Sequence, residues 1–283
     1  MTSLFIGVVS HEGSRFSVSQ GPDGLAQQLI APLGTLGVDA RVQVNTANLH
    51  DREALPVTDR MTQDSLTAQL HLDREWARFL QRPTGPRWWA GHAMRWLRRA
   101  EQSVRSPGPQ MTERLLDIEL SHLDLLRAGI AAGTDWVMVI EDDAATRNLT
   151  DCAAGLAGLM AAGTRQPQYV NVSQSFTNAE LGIEHLLTPV RGTEWAGTER
   201  RSVLAADRPV TNTVCAILYR ADFTSRLVAA MDALPMEPVV PIDWKLNLAL
   251  MALFASGDLR AGDCWLVDPA PIDQLSMRAE SKP

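Results

Sequence analysis

The stretch Asp135 to Ala145, DWVMVIEDDAA, constrains this chain more than any other. Trp136, Val137, Met138, Val139 and Ile140 form an unbroken apolar run, the pattern of a strand covered on both faces in a parallel sheet. Glu141, Asp142 and Asp143 follow where such a strand ends. Adjacent acids repel, and burying them beside a core is costly unless something neutralises them. A bound divalent cation meets that demand; a solvated acidic turn is the alternative. Side chains two apart on an extended strand share a side, so Glu141 and Asp143 are expected together, with Asp142 facing away. That spacing suits Mg²⁺ or Mn²⁺, hard cations that take carboxylate oxygens and fill their shell with water and phosphate.

The N-terminal segment gives the strand a setting. Leu4 to Val9 reads as a first strand, Ser10 to Gly24 as a polar loop, GLAQQLIAPLGTLG as a helix and Ala40 to Val44 as a second strand. This βαβ order implies an α/β fold with a mostly parallel central sheet and a ligand crevice at the carboxyl ends of its strands. Leu49 to Met61 reads as loop, and Ser65 to Ser106 as helix broken at RPTGPRWW. A helix is expected from Thr112, with that residue as its cap, Glu113 at the positive end, and Gly129 and Gly133 near its finish. Its stripes, Leu116, Leu120, Leu123 and Ile130, and Leu115, Ile118 and Leu125, predict burial on most sides. Further strands are expected at Tyr169–Val172, Val214–Tyr219 and Cys264–Val267, and helices at Cys152–Ala162, Ala221–Leu234 and Asp243–Ala255. Thr177 to Arg208 reads as an irregular loop over a site.

Composition narrows the function. With 283 residues, 45% of them hydrophobic, the chain can bury a sizeable core, and its net charge of -7 argues against a protein that coats nucleic acid. The three cysteines, Cys152, Cys215 and Cys264, are too few and too scattered for a disulfide framework or a paired-cysteine zinc site, and read as buried thiols. The N-terminal apolar run is too short to span a membrane and lacks a preceding basic region, so a cytoplasmic location is expected.

Ser121-His122 on a helix, a Gly-containing turn, and an apolar strand closing on Glu141-Asp142-Asp143 together resemble the core of GT-A fold glycosyltransferases. The nearest likeness is to glycosyltransferase family 25, the lipopolysaccharide-biosynthesis type. NTVCAILYRADF resembles that family's strand and following helix, PIDW its Pro-x-Asp segment, and DPAPIDQLS its Pro-rich run ending in Gln. The likeness covers roughly Thr112 to Ser276. Arg114, Asp117 and Ile118 stand where the family usually has Gly and Gly-Cys.

The resemblance implies one GT-A-like domain over 1–283, with 1–150 holding a nucleotide-diphosphate sugar and 151–283 a hydroxyl-bearing acceptor. It implies Mn²⁺ or Mg²⁺ as cofactor, Asp143 as the direct ligand, Glu141 on the metal or the ribose, and Asp142 supporting the loop. Ser10 and Arg15, after the first strand, and Asn45, ending the second, are expected to meet the nucleotide. Asp243 is the candidate base that takes the acceptor's proton, or else a helix N-cap. Trp244 beside it could stack on a sugar or pack inward. His122 falls on an apolar stripe and reads first as a buried histidine. Trp76, Trp88, Trp89 and Trp96 lie among seven arginines between residues 74 and 99, a segment suited to an anionic acceptor or a membrane surface, or to a partly buried hairpin. A nucleotidyltransferase would also use an acid pair, but SHEGSRF lacks the Gly-rich loop and lysine expected of one. A non-catalytic sugar or nucleotide binder is the remaining alternative.

Overall fold

Strand β1 (Thr2–Val9) lies between β2 (Val38–Asn45) and β3 (Trp136–Glu141), parallel to both. Leu4, Ile6 and Val8 of β1 join Trp136, Met138 and Ile140 of β3 in one core, while Phe5, Val9, Val137 and Val139 enter another. Both faces of these strands are covered, which is why their sequence is apolar without alternation.

The structure is a computed structural model that describes residues 1–10, 24–45, 59–82, 109–162, 166–211 and 214–275, with isolated positions between 85 and 97. The remaining elements are α1 (Leu25–Thr35), α2 (Asp59–Phe79), α3 (Pro109–Ala131), β4 (Ala144–Ala145), α4 (Leu149–Ala161), β5 (Tyr169–Asn171), α5 (Asn178–Leu181), β6 (Leu187–Pro189), β7 (Ser202–Ala206), β8 (Ala216–Arg220), α6 (Ala221–Asp232), α7 (Ile242–Ser256), β9 (Cys264–Asp268) and β10 (Asp273–Gln274). The sheet order is β2-β1-β3-β8-β5-β9-β7-β6, and β10 pairs with β4 beside it. Six of the eight strands run one way; β7 and β8 oppose them. Helices α1 and α4 cover one face, and α2, α3, α6 and α7 cover the other. No helix among the described residues is long and apolar enough to cross a membrane.

Three local expectations are corrected. Helix α3 starts at Pro109, so Thr112 lies inside it rather than capping it; proline at a first helical position is already preset for the turn. Asp59–Met61 belongs to α2, not to a loop. Thr177–Arg208 is not one irregular loop. It holds α5, closed by a reciprocal Thr177–Glu180 capping box, and then β6 and β7 at the sheet's far edge.

Helix α3 sits close on the sheet because glycines leave room. A Cβ on Gly7 would lie 2.9 Å from Leu125 Cβ, and one on Gly129 would lie 2.7 Å from both Val137 methyl carbons. Alanine at a helix interior ordinarily gains about 1 kcal/mol over glycine. At Gly129 the overpacking cost of about 1–3 kcal/mol against a stiff β-branched neighbour outweighs it. Gly129→Ala is therefore expected to lower the urea midpoint, whereas an unchanged or higher midpoint would show that α3 has slack on the sheet.

Candidate functional site

Register brings five backbone positions to one edge of the sheet. Val9 pairs with Asn45 on one side and Glu141 on the other, Ser10 N–H donates to Asn45 O at 3.0 Å, and Glu141 N–H donates to Cys215 O at 2.8 Å. This is the carboxyl edge for β1, β2 and β3, and the entry end of the antiparallel β8.

The strand ends at Glu141, and Asp142-Asp143 form a turn rather than two more extended residues. The turn is pinned from the C-terminal side: Leu275 N–H donates to Asp143 O at 3.0 Å, and Gln274 pairs with Ala144. Glu141 and Asp143 still converge. With Cys215 they offer ligand atoms that all lie within 4.8 Å of one another. Asp142 points elsewhere, accepting from Ser10 Oγ at 3.2 Å. The Cys215 thiol is pushed well above its usual range, first by burial and then by the charges of Glu141 and Asp143. Two carboxylates and a sulfur, drawn from the end of β3, the turn after it and the residue before β8 in mostly buried positions, fit a divalent cation, which would offset the mutual repulsion of the acids.

Surrounding residues orient Glu141. Gln274 Nε2 donates to Glu141 Oε2 at 3.1 Å, and Ser175 Oγ donates to Gln274 Oε1, which fixes the amide's sense. The other carboxylate oxygen, Oε1, faces His122 Nε2 at 3.8 Å. His122 is buried, and this nitrogen has no hydrogen-bond partner among the described residues.

The segment that presents Gln274 is itself braced. Arg201 Nη1 donates to the Pro269 and Ala270 carbonyls at 2.6 and 2.9 Å, while its Nε reaches Asp151 at 3.3 Å. Asp151, in the first turn of α4, also accepts from Trp195 Nε1 at 3.0 Å and from Glu199 N–H at 2.7 Å. Burial opposes ionisation of Asp151, but these bonds and the guanidinium prevail and hold its carboxyl below the usual range.

Asp243 lies in the first turn of α7, half-buried, and is not the N-cap; Pro241 occupies that position, and its carbonyl accepts from Trp244 and Lys245 N–H. The capping expectation is thus corrected, because the helix begins one residue earlier, at Ile242. Lys245 Nζ meets Glu119 Oε1 at 3.1 Å in a buried pair, and Glu119 lies one turn before His122 on α3. Burial pushes the Glu119 carboxyl up, with Lys245 opposing. This bolt brings the start of α7 toward the same sheet edge, although Asp243 is not among the converging donors. Trp244 is half-buried against the core.

Arg15 lies outside the described residues, as do Trp88 and Trp96. In the same segment Trp76 is buried and stacks on Phe79 at 5.5 Å, whereas Trp89 is exposed. Compared with known proteins, the chain matches no family model and no curated protein sequence.

Cys215 and Gln274 were not singled out for the site from sequence. Cys215 is an ordinary residue at the start of an apolar run until β8 is known to lie antiparallel beside β3. Gln274 stands in the Pro-rich DPAPIDQLS stretch, whose return to β4 depends on a long-range pairing.

Removing the Asp151 charge strips a buried guanidinium of one of its two carboxylate partners. Asp151→Asn is expected to cost about 3 kcal/mol, the low end for a broken buried pair, because Arg201 keeps Glu199. The lowered folded pKa means that this stability is present above the unfolded value, about 3.9, and is lost as pH falls through the folded value. Urea melts from pH 7 to pH 2.5 should show a shallower acid loss in Asp151→Asn than in wild type; equal slopes would contradict the assignment.

Proposed function

We propose that this chain is a metal-dependent glycosyltransferase of the GT-A type, moving a sugar from a nucleotide-diphosphate sugar to an acceptor hydroxyl. The observation that carries this reading is the convergence of Glu141 and Asp143 at the carboxyl edge of β3, beside the ends of β1 and β2. In sheets of this kind, ligands bind outside the carboxyl ends of the strands, so the acids lie where a nucleotide would be held. The sequence resemblance around Ser121-His122, Glu141-Asp142-Asp143 and Gln274 points the same way.

In this reading Asp143 and Glu141 hold Mn²⁺ or Mg²⁺. The cation, when bound, supplies positive charge against the departing diphosphate. Ser10 anchors Asp142, which keeps the turn in place so that its neighbours face the ion. Gln274 holds Glu141 in orientation, and Asn45 and Arg15 meet the nucleoside. Asp243, fixed near this edge by the Lys245–Glu119 pair, takes the proton from the acceptor hydroxyl as its oxygen attacks the anomeric carbon.

Titration calorimetry with UDP and GDP, with and without Mn²⁺, separates this reading from a solvated acidic turn. One of the two nucleotides should bind in a Mn²⁺-dependent manner, and Asp143→Ala should abolish the metal's contribution. Equal binding by the variant would remove Asp143 from the site. For Asp243→Asn, donor affinity should stay within about twofold while transfer falls by about 10²-fold or more, the scale of a lost general base. Undiminished transfer would leave Asp243 as a helix-start residue only.

A further inference from the structure

Away from the carboxyl edge, one stretch of surface is apolar along a single line. Among the described residues from 86 to 97, Pro86, Trp89, Ala90, Ala93, Met94 and Leu97 are all helical and all exposed. Their steps of three and four residues put them on one helical face. Trp89, Met94 and Leu97 are 49%, 52% and 54% exposed, so three large apolar side chains stand in water along the same stripe. Single exposed apolar residues are ordinary, but an aligned set marks a surface that meets something.

The same stretch is basic. Residues 76 to 100 carry six arginines and no aspartate or glutamate, in a chain whose net charge is -7. Just before them, the exposed Arg74 of α2 holds its guanidinium 6.0 Å from the centre of the Trp89 ring, so a cation borders the apolar stripe.

This pairing of charge and apolar surface decides between occupants. A second copy of the chain would set the same arginines against themselves, a like-charge penalty. Nucleic acid would take up the charge but give Met94 and Leu97 no apolar seat. A bilayer with anionic headgroups satisfies both: Met94 and Leu97 enter the acyl boundary, Trp89 rests at headgroup level, and arginines meet lipid phosphates. Lipid also conforms to a convex stripe, so no matching groove is needed.

We propose that the 86–97 face docks this chain on an anionic phospholipid surface. The contact is peripheral, since no helix among the described residues is long and apolar enough to cross a membrane. Because the chain as a whole is acidic, its net charge opposes the contact, and the local arginines supply the attraction while the apolar stripe supplies the seat. None of this depends on the carboxylate cluster or on any metal.

Co-sedimentation of the full chain with sucrose-loaded vesicles tests the proposal, in buffer with EDTA so that no divalent ion bridges acids to lipid. Mixed phosphatidylcholine–phosphatidylglycerol vesicles should bind at least about tenfold more tightly than phosphatidylcholine alone, and raising salt from about 0.1 M to about 0.5 M should remove most of that difference. Met94→Glu and Leu97→Glu should each weaken binding to the anionic vesicles at least about fivefold, whereas Met236→Glu, the same change at an exposed methionine elsewhere, should alter it less than about twofold. All three side chains are exposed, so urea midpoints should stay near wild type, which separates lost docking from lost folding. Equal binding to the two kinds of vesicle, no binding to either, or full binding by Met94→Glu and Leu97→Glu would overturn the proposal. A dimer in sedimentation velocity that Leu97→Glu dissociates would do so as well, by giving the face to a second copy.

Discussion

Like charge held at one end of a strand is the constraint around which this molecule is arranged. Glu141 and Asp143 converge where β3 leaves the sheet, together with Cys215, the residue just before β8. Nothing in the strand itself would hold them there. Their positions come from groups far away in sequence: Gln274 on Glu141, the Leu275 amide on the Asp143 carbonyl, and Ser10 on Asp142. Each of the three acids is thereby held through a partner distant in sequence, with Glu141 and Asp143 facing one another and Asp142 turned to Ser10.

The support reaches outward in two directions. Toward the C-terminus, Arg201 holds the Pro269–Ala270 carbonyls and is itself held by Asp151, so the segment carrying Gln274 is fastened to the start of α4. Toward the opposite layer, the Lys245–Glu119 pair joins α7 to α3, the helix whose close seat on Gly7 brings His122 to Glu141. A buried ion pair is a weak source of net stability, since desolvation offsets much of the attraction. Its consequence here is geometric: it fixes where α7 begins, and hence where Asp243 lies.

Much of the architecture was legible because local patterns and tertiary demands agree. The apolar runs of β1 and β3, the helical stripes of α3 and the βαβ order need only periodicity and burial on both faces to be read. The last two strands of the sheet, β6 and β7, were not, because β7 joins β9 through a long-range pairing, β6 joins only β7, and little local pattern marks either: only Val203 and Ala206 of β7 are buried. The acid-x-acid pair was visible at once in Glu141 and Asp143, though through a turn rather than an extended strand. Cys215 and Gln274 depend on register between distant segments, which no spacing within either segment encodes. His122 sits on an apolar stripe, and its approach to Glu141 depends on how α3 lies on the sheet, which the stripe does not encode.

Diffraction at the manganese absorption edge, from crystals grown with Mn²⁺ and the nucleotide diphosphate that binds best, tests the central claim most directly. The account requires an anomalous peak between the Glu141 and Asp143 carboxylates, with the nucleotide bound beside it. A nucleotide seated elsewhere, or a carboxyl edge with no peak and both acids turned to solvent, would contradict it.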